Sequence, residues 1–213
     1  MDWSAGDILA ATGGRLLSGS RRTVFSGIGI DSRKLAEGDL FIAIVGETHD
    51  GHAFAPEVVA RGGRGLVVKE GRLPEADLNA WARQGVVCIA VPDTGRALGA
   101  VAAFHRRRMP ARIIALTGSN GKTTTRAMAA AVMNRHRPTL ATEGNLNNEI
   151  GLPLTLLRLQ PEHVLAVVEM GMNHPGEIDR MARVAVPDIG MILNVAPAHL
   201  EGLRSVEGVR RSE

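Results

Sequence analysis

The stretch from Leu116 to Thr125, reading L-T-G-S-N-G-K-T-T-T, restricts this chain more than any other. It follows the apolar run Ile113-Ile114-Ala115-Leu116, which has the composition of a buried strand. It leads into Arg126 to Met133, whose alanines and methionines predict a helix. Strand, glycine turn and helix are the setting that a phosphate-binding loop needs. Gly118 and Gly121 permit a tight turn in which successive N–H groups, those of Ser119 and Asn120 among them, converge on phosphate oxygens. The helix start at Lys122, Thr123 and Thr124 adds free N–H groups and the positive end of a dipole. Lys122 then reaches the terminal phosphates, and the Thr123 hydroxyl can hold Mg²⁺. The loop is a shortened form, with only Ser119 and Asn120 between its glycines. The bland alternative is a Gly-Lys-Thr turn that merely caps a helix. Read as a nucleotide site, the loop specifies ATP or GTP and leaves the reaction open.

The apolar strands on either side of this loop alternate with helical segments, which predicts an α/β fold with a parallel sheet covered on both faces. Upstream, Ser4 to Leu16 reads as a helix capped by Ser4 and stopped at Gly13-Gly14. Strand-like runs follow at Leu40–Val45, Gly65–Val68 and Val86–Val91, with a helix from Phe54 to Arg61 between the first two. A helix from Thr94 to Arg108 ends at Pro110, and a domain boundary is placed just before it, giving regions 1–92 and 93–213. The second region has candidate strands beginning at Ile113, Leu140, Val164 and Ile189, and helices at Pro153–Leu159 and Ile178–Val184. Four strands are few for a nucleotide-binding sheet and leave a hydrophobic edge, so the chain reads as the front part of something longer.

Hydrophobic residues at 45% and charged residues at 22% are those of a globular chain. No apolar run is long enough to span a membrane, and the N-terminus M-D-W-S-A-G lacks a signal-peptide pattern. The single cysteine, Cys88, lies in an apolar run; it excludes an internal disulfide and fits a reducing cytoplasm. The formal net charge of +3 comes mostly from arginine. The Arg106-Arg107-Arg108 cluster ends a helix, where it complements the dipole and is expected to face solvent. No aromatic residues interleave with it as base-stacking platforms would, so nucleic acid is not an expected partner. An anionic small substrate accounts for the charge equally well.

Ligands of parallel α/β sheets bind at the carboxyl ends of the strands. Three polar clusters fall there: Thr142–Gly151, Glu169–Glu177 and Asn194–Gly202. Glu169, at the tip of a strand beside the phosphate loop, is the candidate carboxylate for Mg²⁺; otherwise it caps the next turn. His199 either ligates metal through a neutral nitrogen or hydrogen-bonds a phosphate. Asn145, Asn147 and Asn148 also suit left-handed turns and can be loop-formers. The His49 and His52 pair reads as loop hydrogen bonding.

Together these segments resemble the Mur ligases. Thr117-Gly-Ser-Asn-Gly-Lys-Thr-Thr124 resembles the shortened phosphate loop of that family. Gly144-Asn-Leu-Asn-Asn-Glu-Ile-Gly151, Glu169-Met-Gly-Met-Asn-His-Pro-Gly-Glu177 and Pro197-Ala-His-Leu-Glu-Gly202 are similar to its members as well. Asp31-Ser-Arg33, Gly38-Asp-Leu-Phe-Ile-Ala43 and Asp50-Gly-His52 resemble its uridine-nucleotide domain. The resemblance implies a small N-terminal α/β domain for a UDP-linked substrate, then a parallel-sheet ATP-binding domain that is incomplete here, with a third domain absent. It implies ATP and Mg²⁺, with UDP-N-acetylmuramoyl-tripeptide and D-alanyl-D-alanine as substrates, in a cytoplasmic monomer that makes peptidoglycan precursors. The implied reaction is amide formation through an acyl phosphate. By this resemblance Lys122 and Thr123 serve ATP and Mg²⁺, and Glu169 and His199 lie near the metals. Asn145 helps to position nucleotide or carboxylate, while Asp31, Ser32 and Arg33 lie by the uridine nucleotide. One departure is that the family carries a lysine on the helix after Pro197–Gly202. No lysine follows Lys122, and Glu213 stands at about that place. A chain so composed is expected to bind the UDP-substrate without completing the reaction.

Overall fold

The computed structural model describes residues 2–46 and 48–196. The chain divides into two compact units, Met1–Val101 and from Ala102 onward.

The first unit opens with a short strand, β1 (Trp3–Ser4), and helix α1 (Ala5–Thr12). Ser4 caps α1 in a reciprocal box: its hydroxyl accepts from the Asp7 N–H, and the Asp7 carboxylate accepts from the Ser4 N–H. Gly13 then takes a left-handed φ of 65° and sends its N–H to the Leu9 carbonyl. The helix therefore stops at Thr12, not at Leu16. Leu16 instead belongs to strand β2 (Arg15–Ser18), which pairs antiparallel with β7 (Val87–Val91).

Strand β3 (Val24–Phe25) pairs with β1, and β4 (Ile28–Gly29), β5 (Leu40–Ile42), β6 (Gly65–Lys69) and β7 complete a sheet ordered β2-β7-β6-β5-β4. All neighbours from β7 to β4 are parallel. Helix α2 (Ala55–Ala60) begins just before Pro56, as expected of a proline in the first turn. Helix α3 (Glu75–Arg83) had no counterpart in the sequence reading; it buries Trp81, and Leu78 packs against the same core. Its remaining residues are polar or alanine, too weak an apolar stripe to stand out. Phe41, Leu66, Trp81 and Cys88 share one core. Cys88 is buried, and burial raises its thiol pKa.

Helix α4 (Thr94–Arg108) contains the division between the units. Beyond it come β8 (Arg112–Thr117), α5 (Lys122–Asn134), β9 (Thr139–Ala141), α6 (Gly151–Leu156), β10 (Leu165–Glu169), α7 (Glu177–Ala185) and β11 (Ile189–Ile192). The sheet order is β11-β8-β10-β9, and every pair is parallel. Ile113, Leu140, Leu156, Val168 and Met181 belong to its core. Among the described strands β11 lies at one edge, with Ile189, Met191 and Ile192 exposed. Among the described residues no helix is long and apolar enough to cross a membrane.

The arginines that end α4 do not all face solvent. Arg107 and Arg108 are exposed, with the Arg108 guanidinium 5.4 Å from the centre of the Phe104 ring. Arg106 turns inward: it donates to the Ala185 and Val186 carbonyls and pairs with Asp188 at 3.2 Å. Those carbonyls end α7, where Val186 sits at a left-handed φ of 47° that a β-branched residue rarely adopts. Asp188 in turn accepts the N–H of Ile113 at the head of β8. Arg106 thus holds a strained helix end beside the strand that feeds the phosphate loop. Arg106→Ala should lower the stability of the second unit by about 2 kcal/mol, read as an earlier denaturant midpoint for that unit.

Candidate functional site

Parallel pairing of β8 with β10 puts Leu116 opposite Glu169, so the loop after β8 and the carboxylate ending β10 emerge side by side. Gly118 has a φ of 137° and Gly121 a φ of 80°, both outside the range of ordinary side-chain-bearing residues. A Cβ on Gly118 would also lie 3.1 Å from the backbone of Asn194. The first helical bond of this turn is Thr125 N–H to the Gly121 carbonyl. Lys122, Thr123 and Thr124 therefore begin α5 with N–H groups that have no partner within the helix, and Gly121 offers no side-chain cap. That is the donor array of an anion site. The Lys122 ammonium donates to the Gly118 carbonyl at 2.5 Å, folded over the loop.

The loop is strapped to the segment after β11. The Ser119 N–H donates to the Asn194 carbonyl, and the Ser119 hydroxyl bonds both the N–H and the carbonyl of Ala196. The Asn194 side chain takes the Asn120 N–H at 3.0 Å and donates to the Asn120 carbonyl at 2.8 Å. Its amide thereby continues the β8–β11 ladder into the loop. The backbone N–H groups of Ser119 and Asn120 are committed to this strap. Among the described residues those of Lys122, Thr123 and Thr124 have no partner and are left for a ligand.

Glu169 is 1% exposed. Its Oε1 accepts from the Thr123 hydroxyl at 3.3 Å and from the Asn147 amide at 2.8 Å. Its backbone N–H donates to Thr142 Oγ1, and Arg126 Nε lies 3.7 Å from Oε2. Thr123 and Glu169 present adjacent oxygens beside the anion-binding turn, a donor set suited to a hard cation such as Mg²⁺.

The three asparagines of the loop before α6 separate. Asn147 reaches Glu169, Asn148 caps the start of α6 through the Ile150 and Gly151 N–H groups, and Asn145 is exposed, its carbonyl accepting the Asn147 N–H. His199, the whole of Pro197–Gly202, and Glu213 lie outside the described residues.

Arg126, Asn147 and Asn194 were not singled out from sequence as site residues. Arg126 lies three residues after Thr123 on one helix, the spacing of side chains that share a face. That spacing was its one legible signal. For Asn194 the signal was its place at the head of the polar cluster after β11, which did not show that it straps the phosphate loop.

In the first unit, the Asp31–Arg33 turn follows the carboxyl end of β4. Asp31 takes two guanidinium bonds from Arg33, both at 2.9 Å. These hydrogen bonds hold the Asp31 carboxyl at about 2, below the usual carboxylate range. Arg33 is otherwise exposed, while Ser32 is buried and its carbonyl faces Arg61. The loop after β5 is fixed by His52, whose Nδ1 lies 2.5 Å from Asp50 and whose Nε2 accepts the Lys69 N–H. That is the loop hydrogen bonding expected of this histidine. The neighbouring His49 bonds Thr48.

Comparison with known proteins bears on both units. The profile described as "Mur ligase family, catalytic domain" matches residues 24–106, and that described as "Mur ligase middle domain" matches 116–213. A curated relative from Escherichia coli (strain K12), a UDP-N-acetylmuramoyl-tripeptide–D-alanyl-D-alanine ligase, is 44% identical over 183 residues, which is 86% of this chain and 38% of the relative. The crystal structure of MurF from Acinetobacter baumannii superposes with a TM-score of 0.89 at 38% identity, covering all of this chain and 45% of that one. MurF ligase from Thermotoga maritima, solved in complex with ADP, gives a TM-score of 0.77 at 29% identity over 87% of this chain and 41% of that one. The chain thus spans about two-fifths of the length of such relatives. On the strength of both units, the chain belongs to the Mur ligase family.

Proposed function

We propose that this chain serves the ATP-dependent ligation of D-alanyl-D-alanine to UDP-N-acetylmuramoyl-tripeptide, in cytoplasmic synthesis of peptidoglycan precursors. The observation that carries the proposal is the buried Glu169 carboxylate, bonded to Thr123 of the phosphate loop. Residues 1–92 would take the UDP-linked substrate and residues 93–213 the nucleotide. The names of the similar proteins and the ADP seen in one of them support this reading.

The physical problem is charge. A peptide carboxylate has to approach the γ-phosphate of an anionic triphosphate, and each repels the other until positive groups intervene. The free N–H groups of Lys122, Thr123 and Thr124 would take the phosphate oxygens, and Lys122 would exchange the Gly118 carbonyl for a terminal phosphate. Thr123 and Glu169 would hold Mg²⁺, which supplies further neutralisation of the phosphates when bound. Asn147 keeps Glu169 turned toward Thr123 while that happens. Asn145 and His199 remain assigned to the nucleotide, the reacting carboxylate and the metals by family resemblance. Attack of the carboxylate on the γ-phosphorus would break its bond to the bridging oxygen, giving an acyl phosphate and ADP. The dipeptide amine would then displace phosphate from the carbonyl carbon, losing a proton as the amide forms. In the first unit, the Asp31–Arg33 turn would lie by the uridine nucleotide, and the exposed Arg33 guanidinium would turn from Asp31 to a phosphate oxygen.

Isothermal titration with UDP-N-acetylmuramoyl-tripeptide should show binding to this chain. Arg33→Ala should weaken it about tenfold, the loss of one charge-assisted contact; an unchanged affinity would remove Arg33 from the site. Any phosphate released from ATP should depend on both substrates and fall by roughly 10²-fold or more in Lys122→Ala. Release that proceeds without the dipeptide would contradict ligation. Asn194→Ala should weaken ATP binding by about tenfold through a loosened loop, with the melting temperature nearly unchanged.

A further inference from the structure

The group behind Glu169 is a second cation. Arg126 rises from the first turns of α5 with its side chain 10% exposed, against 2% for that of Glu169. Its Nη1 donates to the Thr142 carbonyl and, at 3.5 Å, to the Gly144 carbonyl, which anchors the guanidinium from the loop side. Its Nε faces Glu169 Oε2 across 3.7 Å. Neither of these two buried atoms has a hydrogen-bond partner among the described residues. They are held together by charge across a gap slightly too wide for a hydrogen bond. The other oxygen, Oε1, takes the Thr123 hydroxyl and the Asn147 amide.

We propose that Arg126 neutralises Glu169 so that the pocket refuses a bare divalent cation and accepts one only together with the anionic phosphates of a nucleotide. The inference rests on the reading of Glu169 as a metal carboxylate. A dication placed against Oε1 feels one negative charge from Glu169 and one positive charge from Arg126. Both lie in surroundings of low dielectric, where each counts for more than in water. The attraction and the repulsion nearly cancel, and the cation must still shed hydration water, so entry alone is unfavourable. Polyphosphate brings several negative charges to the free N–H groups of Lys122, Thr123 and Thr124 and tips the sum toward binding. Arg126 is then a positioning and charge-setting residue: it touches neither phosphate nor metal, and it decides in what company the metal arrives. Its grip on the Thr142 and Gly144 carbonyls also ties the loop that carries Asn147 to the same charge.

The test uses this chain and Mn²⁺ alone, with free Mn²⁺ read by electron paramagnetic resonance and folding checked by thermal denaturation. Wild type and Glu169→Gln should bind Mn²⁺ weakly and alike. Arg126→Gln should bind it at least about tenfold more tightly than wild type, and Arg126→Gln with Glu169→Gln should lose that gain. Arg126→Lys, which keeps the charge and changes the shape, should stay with wild type; a packing role would make it follow Arg126→Gln. Equal Mn²⁺ affinity in wild type and Arg126→Gln overturns the proposal. Should Arg126→Gln fail to fold, wild type against Glu169→Gln decides: tighter binding by wild type, by about tenfold, means that Arg126 does not neutralise the carboxylate. A separate titration of ATP with Mn²⁺ tests the reading beneath it. If Glu169→Gln leaves metal-dependent ATP binding unchanged, Glu169 is not a metal carboxylate, whatever Arg126 does.

Discussion

A carboxylate removed from water persists in a fold only where donors and opposite charge replace its hydration. Glu169, at the carboxyl end of β10, is in that position, and residues from three segments converge to meet the requirement. Thr123 and Arg126 come from the start of α5, Asn147 from the loop before α6, and Thr142 from the end of β9. Each of these segments is fixed by parallel pairing or by a helix that packs on the sheet. The site is consequently a product of the sheet register: Glu169 stands opposite Leu116, and Leu116 leads straight into the phosphate loop.

A second dependence runs through the edge strand. β11 pairs only with β8 among the described strands, and its side chains are exposed, yet the residues just past it shape the loop. Leu193 N–H bonds the Thr117 carbonyl, and Asn194 then takes over with both its backbone and its side chain. Two loop N–H groups are thereby withdrawn from ligand binding, and the donors without a partner among the described residues include those that open α5. The shortened loop thus gains rigidity from its neighbour where a longer loop would wrap the phosphates itself. At the opposite end of β8, Arg106 and Asp188 perform a comparable anchoring role.

Much of this was legible before any coordinates. Apolar runs located β6, β7, β8 and β10, because a buried parallel strand has to be apolar on both faces, and the run that located β11 forms an exposed edge strand instead. Glu169 stood out as a charge at the end of such a run, and Gly118 and Gly121 as glycines in a strand-to-helix turn. What escaped notice depended on contacts distant in sequence. β2 was absorbed into α1 because Leu16 continues an apolar pattern, and the left-handed turn at Gly13 overrides that pattern. α3 carries only Leu78 and Trp81 as large apolar residues, below what periodicity can separate from a loop. Arg106 looked like a solvent-facing charge because its acceptors, the carbonyls ending α7, lie far along the chain. Asn147 was placed in a polar cluster at the strand ends with no role beyond that of a turn residue, and its amide proves to be the closer contact of Glu169 Oε1.

The account turns on Thr123 and Glu169 forming, with the open start of α5, one site for a metal–nucleotide pair. The most direct measurement is isothermal titration of ATP into this chain with Mg²⁺ and again with excess chelator, repeated for Thr123→Ala. The account predicts binding that tightens at least about tenfold with Mg²⁺ in the wild type, and a variant in which Mg²⁺ makes little difference. Equal affinity for ATP with and without Mg²⁺ in the wild type would contradict it.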